Sequence, residues 1–183
     1  YHYLMSLMNR EISQSRLISE FSEIASYTNE SSELRPTLFD FLGHRALDFF
    51  KSNIFSVPGP AETFVIEDEN YFASNSTFLA INPVTQDSLN TQFFAVRVLQ
   101  ELTRFHLEKN NQVALFSVEL ERLKYMQAKS VLRNKDNLYY ESLQRMTKAY
   151  ESLAYVSEAW YEIAIVHSLR GDTYNHLADT THR

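Results

Sequence analysis

Residues 37 to 53, TLFDFLGHRALDFFKSN, decide the fold class. Leu38, Phe41, Leu42, Arg45 and Phe49 make one set of helical steps, and Phe39, Ala46 and Phe50 make a second beside it. That spacing predicts a helix, and apolar residues around so much of its circumference predict packing on two sides. Asp40, His44, Asp48 and Lys51 are left to share what remains. Gly43 costs about 1 kcal/mol relative to Ala inside a helix, which marks it as a close helix crossing. Pro36 falls near the first turn, where its missing N–H is no loss. The phenylalanines, with Phe41 and Phe49 as anchors, read as core. His44 and Arg45 read as a helix-face pair bonding to Asp40 or Asp48 at i−4 and i+4, and as a tether to neighbouring helices.

Working outward, Leu4, Leu7, Met8, Ile12, Ile18, Phe21, Ile24 and Ala25 form one stripe and predict a helix over about 3–27. Polar residues from Asn29 to Glu33 end it. Residues 54–87 break the pattern with a Val57–Ala61 turn, the apolar Phe64-Val-Ile66, and Tyr71, Phe72, Phe78, Leu79 and Ile81. So many aromatics predict a packed connection holding one short helix or extended piece, not a solvated tether. Helical order resumes at Ser88, a candidate N-cap. Four helices follow, carried by Leu89–Phe105, Val113–Leu123, Tyr139–Leu153 and Trp160–His167, with short loops that make them antiparallel neighbours. The expected architecture is all-α, a short stacked array in one domain. It has two helices over 1–53, an irregular connection over 54–87 and helix pairs over 88–183.

Composition bounds the function. Three glycines and four prolines in 183 residues leave long intervals without a breaker, which favours helices over sheets. The net charge of −6, with no basic run, argues against nucleic acid and against an anionic membrane surface. No apolar stretch of about 18 residues is present to span a bilayer. The absence of cysteine excludes disulfides, thiolate catalysis and Cys-ligated zinc. The chain opens in a helical pattern and closes just after a Gly–Asp pair, so it is expected to be a piece of something longer.

Ala159-Trp160-Tyr161-Glu162-Ile163-Ala164-Ile165-Val166-His167, followed by Gly171-Asp172, resembles the first helix of a tetratricopeptide repeat. The resemblance implies that Trp160 is a buried anchor, Ala164 the close crossing, His167 the aromatic position and Gly171 the turn. A frame of about 34 residues extended backwards puts Tyr139, Met146 and Ala149 at large, large and small positions. A second resemblance covers more of the chain. Pro36 to Phe50, Leu120-Glu121-Arg122-Leu123 and the later Ala-Trp-Tyr-Glu-Ile-Ala run are similar, in order, to the N-terminal helical region of large bacterial α2-macroglobulin-like envelope proteins. It implies an extracytoplasmic, lipid-anchored, protease-trapping parent. This stretch carries no thioester motif and no β-sandwich run, so it is expected to be a non-catalytic accessory scaffold. Its partners would be other domains of the parent chain or another protein. The alternative is a stand-alone repeat-type adaptor that takes a peptide or protein in a helical groove.

The histidines at 2, 44, 106, 167, 176 and 182 show no two-ligand helical spacing, so no metal and no other cofactor is expected. Glu67-Asp68-Glu69 lacks the alternating ligands and glycine turn that calcium needs and reads as a solvated loop. Asn29-Glu-Ser31 and Asn75-Ser-Thr77 match glycosylation sequons by three residues only. No nucleophile elbow and no phosphate loop is present, and no catalytic residue is assigned.

Overall fold

The computed structural model describes residues 2–21, 23, 29–52, 64–87 and 89–172. Within them every regular element is helical: α1 (His2–Met8), α2 (Glu11–Ser15), α3 (Asn29–Leu34), α4 (Leu38–Lys51), α5 (Asn75–Ala80), α6 (Thr91–Glu108), α7 (Gln112–Lys129), α8 (Lys135–Ala149) and α9 (Val156–Asp172). Single 3₁₀ turns lie at Ile18–Phe21 and Glu69–Phe72. Helices α6 to α9 pack each on the next, and α4 lies against α6. Phe39 stacks on Phe105 with ring centroids 4.2 Å apart, and Phe50 on Phe94 at 5.3 Å. The first pair joins the start of α4 to the end of α6 and the second joins the opposite ends, so these two helices run antiparallel.

Local chemistry sets the helix boundaries. Thr37 Oγ1 accepts a hydrogen bond from the Asp40 N–H, and Asp40 Oδ2 accepts one from the Thr37 N–H, a capping box that starts α4. Pro36 therefore stands one residue outside the cap, not in the first turn. Ser88 lies outside the described residues; the cap of α6 is Asn90, which accepts from the Phe93 N–H. Asn110 takes a left-handed φ of 51°, which asparagine tolerates, and Asn111 then caps α7.

The N-terminal stretch departs from the expected single helix. Leu38 N–H donates to the Arg16 carbonyl and Ile18 N–H to the Pro36 carbonyl, an isolated bridge between Leu17 and Thr37 that pulls the backbone out of helix after Ser15. Ser13 Oγ donates to the Leu7 carbonyl at 2.7 Å across the break between α1 and α2. These non-local bonds outcompete a short helix, whose nucleation is costly. Residues 22 and 24–27 of that expected helix and the turn at 57–61 lie outside the described residues. Asn29 to Glu33, expected to be a terminator, is helical as part of α3.

The connection over 64–87 is packed, with Ile66, Tyr71, Phe72 and Phe78 all buried in the main core. Helices α6 to α8 hold it by side chains aimed at its carbonyls. Gln100 donates to the Phe78 and Ile81 carbonyls, Arg122 to those of Tyr71 and Ala73, and Ser142 and Arg145 to that of Phe72. Irregular backbone inside a core needs such partners, because unpaired buried carbonyls are costly.

Candidate interaction surface

Of the two stripes expected to pack, helix α4 buries the second and leaves the first partly open. Phe39, Ala46, Leu47 and Phe50 are buried, Phe41 is half-buried and Phe49 is 51% exposed. Gly43 is the close crossing: a Cβ there would meet Leu102 of α6 at 2.7 Å and Met8 of α1 at 2.9 Å. Asp40 and His44, expected on the polar face, are 0% and 3% exposed. They point inward because each finds a partner on another helix. Asp40 Oδ1 lies 2.6 Å from His106 Nε2 of α6, and His44 Nδ1 lies 2.9 Å from Glu121 Oε2 of α7. The second contact is close but off-line for a hydrogen bond. Lys51 donates to the other oxygen of Glu121 at 2.9 Å. Arg45 stays outside, over the Phe41 ring. The tether to neighbouring helices is thus His44 with Asp40, and the expected partnership within one helix is replaced by one between helices.

Burial by itself pushes the Glu121 carboxyl up, but His44 and Lys51 outweigh it and hold the group down at about 2. A second buried network sits deeper. Arg122 is 0% exposed and lies over the Phe78 ring, with Glu119 at 3.5 Å. Burial lowers the guanidinium to about 10 against the pull of Glu119, which still leaves it charged at neutral pH. Tyr150 and Asn75 both donate to Glu119 Oε2, and burial first, then that carboxylate, raise the Tyr150 phenol. The amide of the Asn75 sequon is therefore committed inside the fold. For the other sequon, the side chains of Asn29 and Ser31 lie outside the described residues.

A His–Asp pair such as His106–Asp40 resembles half of a catalytic relay, yet both groups are 1% exposed or less. No cluster of three potential metal ligands occurs among the described residues, and no described helix is long and apolar enough to cross a membrane. Sequence reasoning missed Glu121, His106, Glu119 and Arg122. Their signal was present: on α7, charged residues at 119 and 122 stand in the turns that Phe116, Leu120 and Leu123 bury.

At α9 the repeat-like expectation is corrected. The buried side chains of α9 are Ala159 and Ile163, at 0% and 6% exposure, while Trp160 is 56% exposed. Ala164, His167 and Ala149 are exposed too. The buried register is shifted by one residue, a rotation of about 100°. The aliphatic stripe Ala159–Ile163–Val166 lets the helices close up where an indole would hold them apart. Gly171 remains helical, with open space around its Cα, and makes no turn. His167 contacts Tyr140, with Nε2 3.3 Å from the hydroxyl. Thr173 and Tyr174, and His176 and His182, lie outside the described residues.

The outcome is an unusual outer face. Tyr161 and Leu169 are 66% and 61% exposed alongside Trp160. Ser157, Ala164 and Ser168 complete the face, and its only charge among the described side chains is Glu158 near the start. A solvent-facing helix surface ordinarily carries charge. Clefts flank α9 on both sides. One of about 360 Å³ is lined by Tyr140, Lys148, Trp160 and His167, and one of about 420 Å³ by Lys124, Tyr139, Ile165 and Leu169. Compared with protein-family models, with curated proteins and with solved structures, the chain matches none.

Proposed function

We propose that the chain is a non-catalytic helical scaffold that docks another protein segment along the outer face of α9. The observation that carries this reading is the apolar, nearly uncharged surface of Trp160, Tyr161, Ala164 and Leu169 on a helix whose opposite face is already packed. Aromatic side chains presented in this way are the usual anchors of protein interfaces. The interior charges support a scaffold as well, since Asp40, His44, Glu119, Glu121 and Arg122 are spent on joining helices. The finer reading, a region of an extracytoplasmic α2-macroglobulin-like protein that packs against other domains of its parent, rests on the run from Pro36 to Phe50. The stand-alone adaptor draws instead on the cleft beside Trp160, which a peptide side chain could enter.

Photo-crosslinking tests the reading. A benzophenone amino acid at position 161 or 164 is expected to give a discrete adduct in the native host, whereas the same group at exposed Lys109 gives none. An adduct within the same polypeptide supports the parent-domain reading, and one with a separate protein supports the adaptor. Equal labelling from all three positions, or none from 161 and 164, would overturn the docking face.

A further inference from the structure

A second cleft, remote in character from the α9 face, lies where the extended segment after residue 64 passes the segment 81–86. It encloses about 450 Å³, a volume typical of small-ligand sites. Phe64, Tyr71 and Ile81 contribute apolar walls, Glu67 and Asp68 contribute carboxylates, and no lining residue is basic. Two features separate this from an ordinary acidic loop. Tyr71 is only 4% exposed, yet its hydroxyl has no protein partner among the described residues. Its ring packs against Phe64 and Phe78, and its hydroxyl keeps access to solvent. Asp68 uses one oxygen to accept the Asn70 N–H at 2.9 Å, and its other oxygen and both oxygens of exposed Glu67 have no protein partner among the described residues.

We propose that this cleft binds an alkylammonium group, with the charge between Glu67, Asp68 and the Tyr71 hydroxyl and the apolar stem against Phe64 and Ile81. An ammonium has three N–H donors and no acceptor, which matches two carboxylates and a phenol oxygen. The aromatic walls add cation–π attraction and cover the methylenes. A divalent metal fits less well, since it demands six or more oxygens and gains nothing from an apolar floor. The same chemistry can arrive as a free amine or as a lysine side chain of a peptide.

Titrations of the 183-residue chain followed by amide NMR distinguish these sources. The probes are pentylamine and Nα-acetyl-lysine amide, with pentanol and Nα-acetyl-norleucine amide as uncharged counterparts. Both cations are expected to shift amides of 65–70 and 82–86 saturably, and both neutral molecules to leave them unmoved. Glu67→Gln should weaken binding by up to about fivefold, the scale of one exposed charge pair. Tyr71→Phe should weaken it without lowering the urea midpoint, because that hydroxyl has no partner among the described residues. Tighter binding of the lysine amide assigns the site to a peptide side chain, and equal binding assigns it to free amines. Absence of saturable shifts at about 20 mM, a range that captures even weak ligands, overturns the proposal. So does equal binding of pentanol or indifference to Glu67→Gln.

Discussion

Gly43 shows how one residue sets the spacing of three helices. A methyl there would sit 2.7 Å from Leu102 Cδ2, 3.2 Å from Leu102 Cγ and 2.9 Å from Met8 Cε. The blocking atoms are mainly side-chain ends, which move cheaply in open surroundings. Here both Leu102 and Met8 are fully buried, and interiors at crystal-like density yield little. Gly43→Ala thus gains about 1 kcal/mol in helix propensity and loses about 1–3 kcal/mol to overpacking. Net destabilisation of about 1 kcal/mol is expected in urea melts. Met8→Ala vacates part of the space, so the double variant should be more stable than the sum of the two single effects. A stabilised Gly43→Ala would show that the crossing is looser than it looks. The Gly43 crossing was legible in the sequence, since a glycine amid phenylalanines on a helix has few other uses. The burial of Asp40 and His44 was not, because their partners, His106 and Glu121, lie more than sixty residues away.

Between elements, the contact of α4 with Glu121 of α7 makes stability depend on acid. The Glu121 carboxyl is held at about 2 in the fold against an ordinary 4.5. A depressed carboxylate stabilises fully above its unfolded value and loses that contribution as pH falls through its folded one. The contribution, about 3 kcal/mol at most, is therefore present above pH 4.5 and fades toward pH 2. Urea midpoints of the wild type and Glu121→Gln should differ at pH 6 and converge on acidification through that window. A gap that stays constant from pH 6 to 2 would mean that His44 and Lys51 contribute no charge stabilisation to Glu121. Helices α6 to α8 were legible as elements from their strong apolar periodicity, although the cap of α6 is Asn90 and not Ser88. The N-terminal stretch was not. Its periodicity is equally good, but the bonds that break it run from Arg16 and Ile18 to Pro36 and Leu38, and no local pattern records them.

At the scale of the molecule, α7 is the centre and α9 is the edge of the described array. Helix α7 buries residues on nearly every side, whereas α9 is comparably apolar and buries only one. That contrast was partly legible: Trp160, Tyr161, Ile163, Ala164, Ile165, Val166 and Leu169 circle the helix, which predicts two-sided packing. Which stripe meets α8 was not legible, because Trp160–Ala164 and Ala159–Ile163 have the same spacing and only side-chain shape separates them. The sequence contains a single tryptophan, so its fluorescence reports on the open face alone. In the isolated chain, Trp160 emission is expected close to that of the denatured protein and readily quenched by iodide as well as acrylamide. Blue-shifted emission that resists iodide would place the indole inside the packing, return α9 to the repeat-like register and remove the docking face.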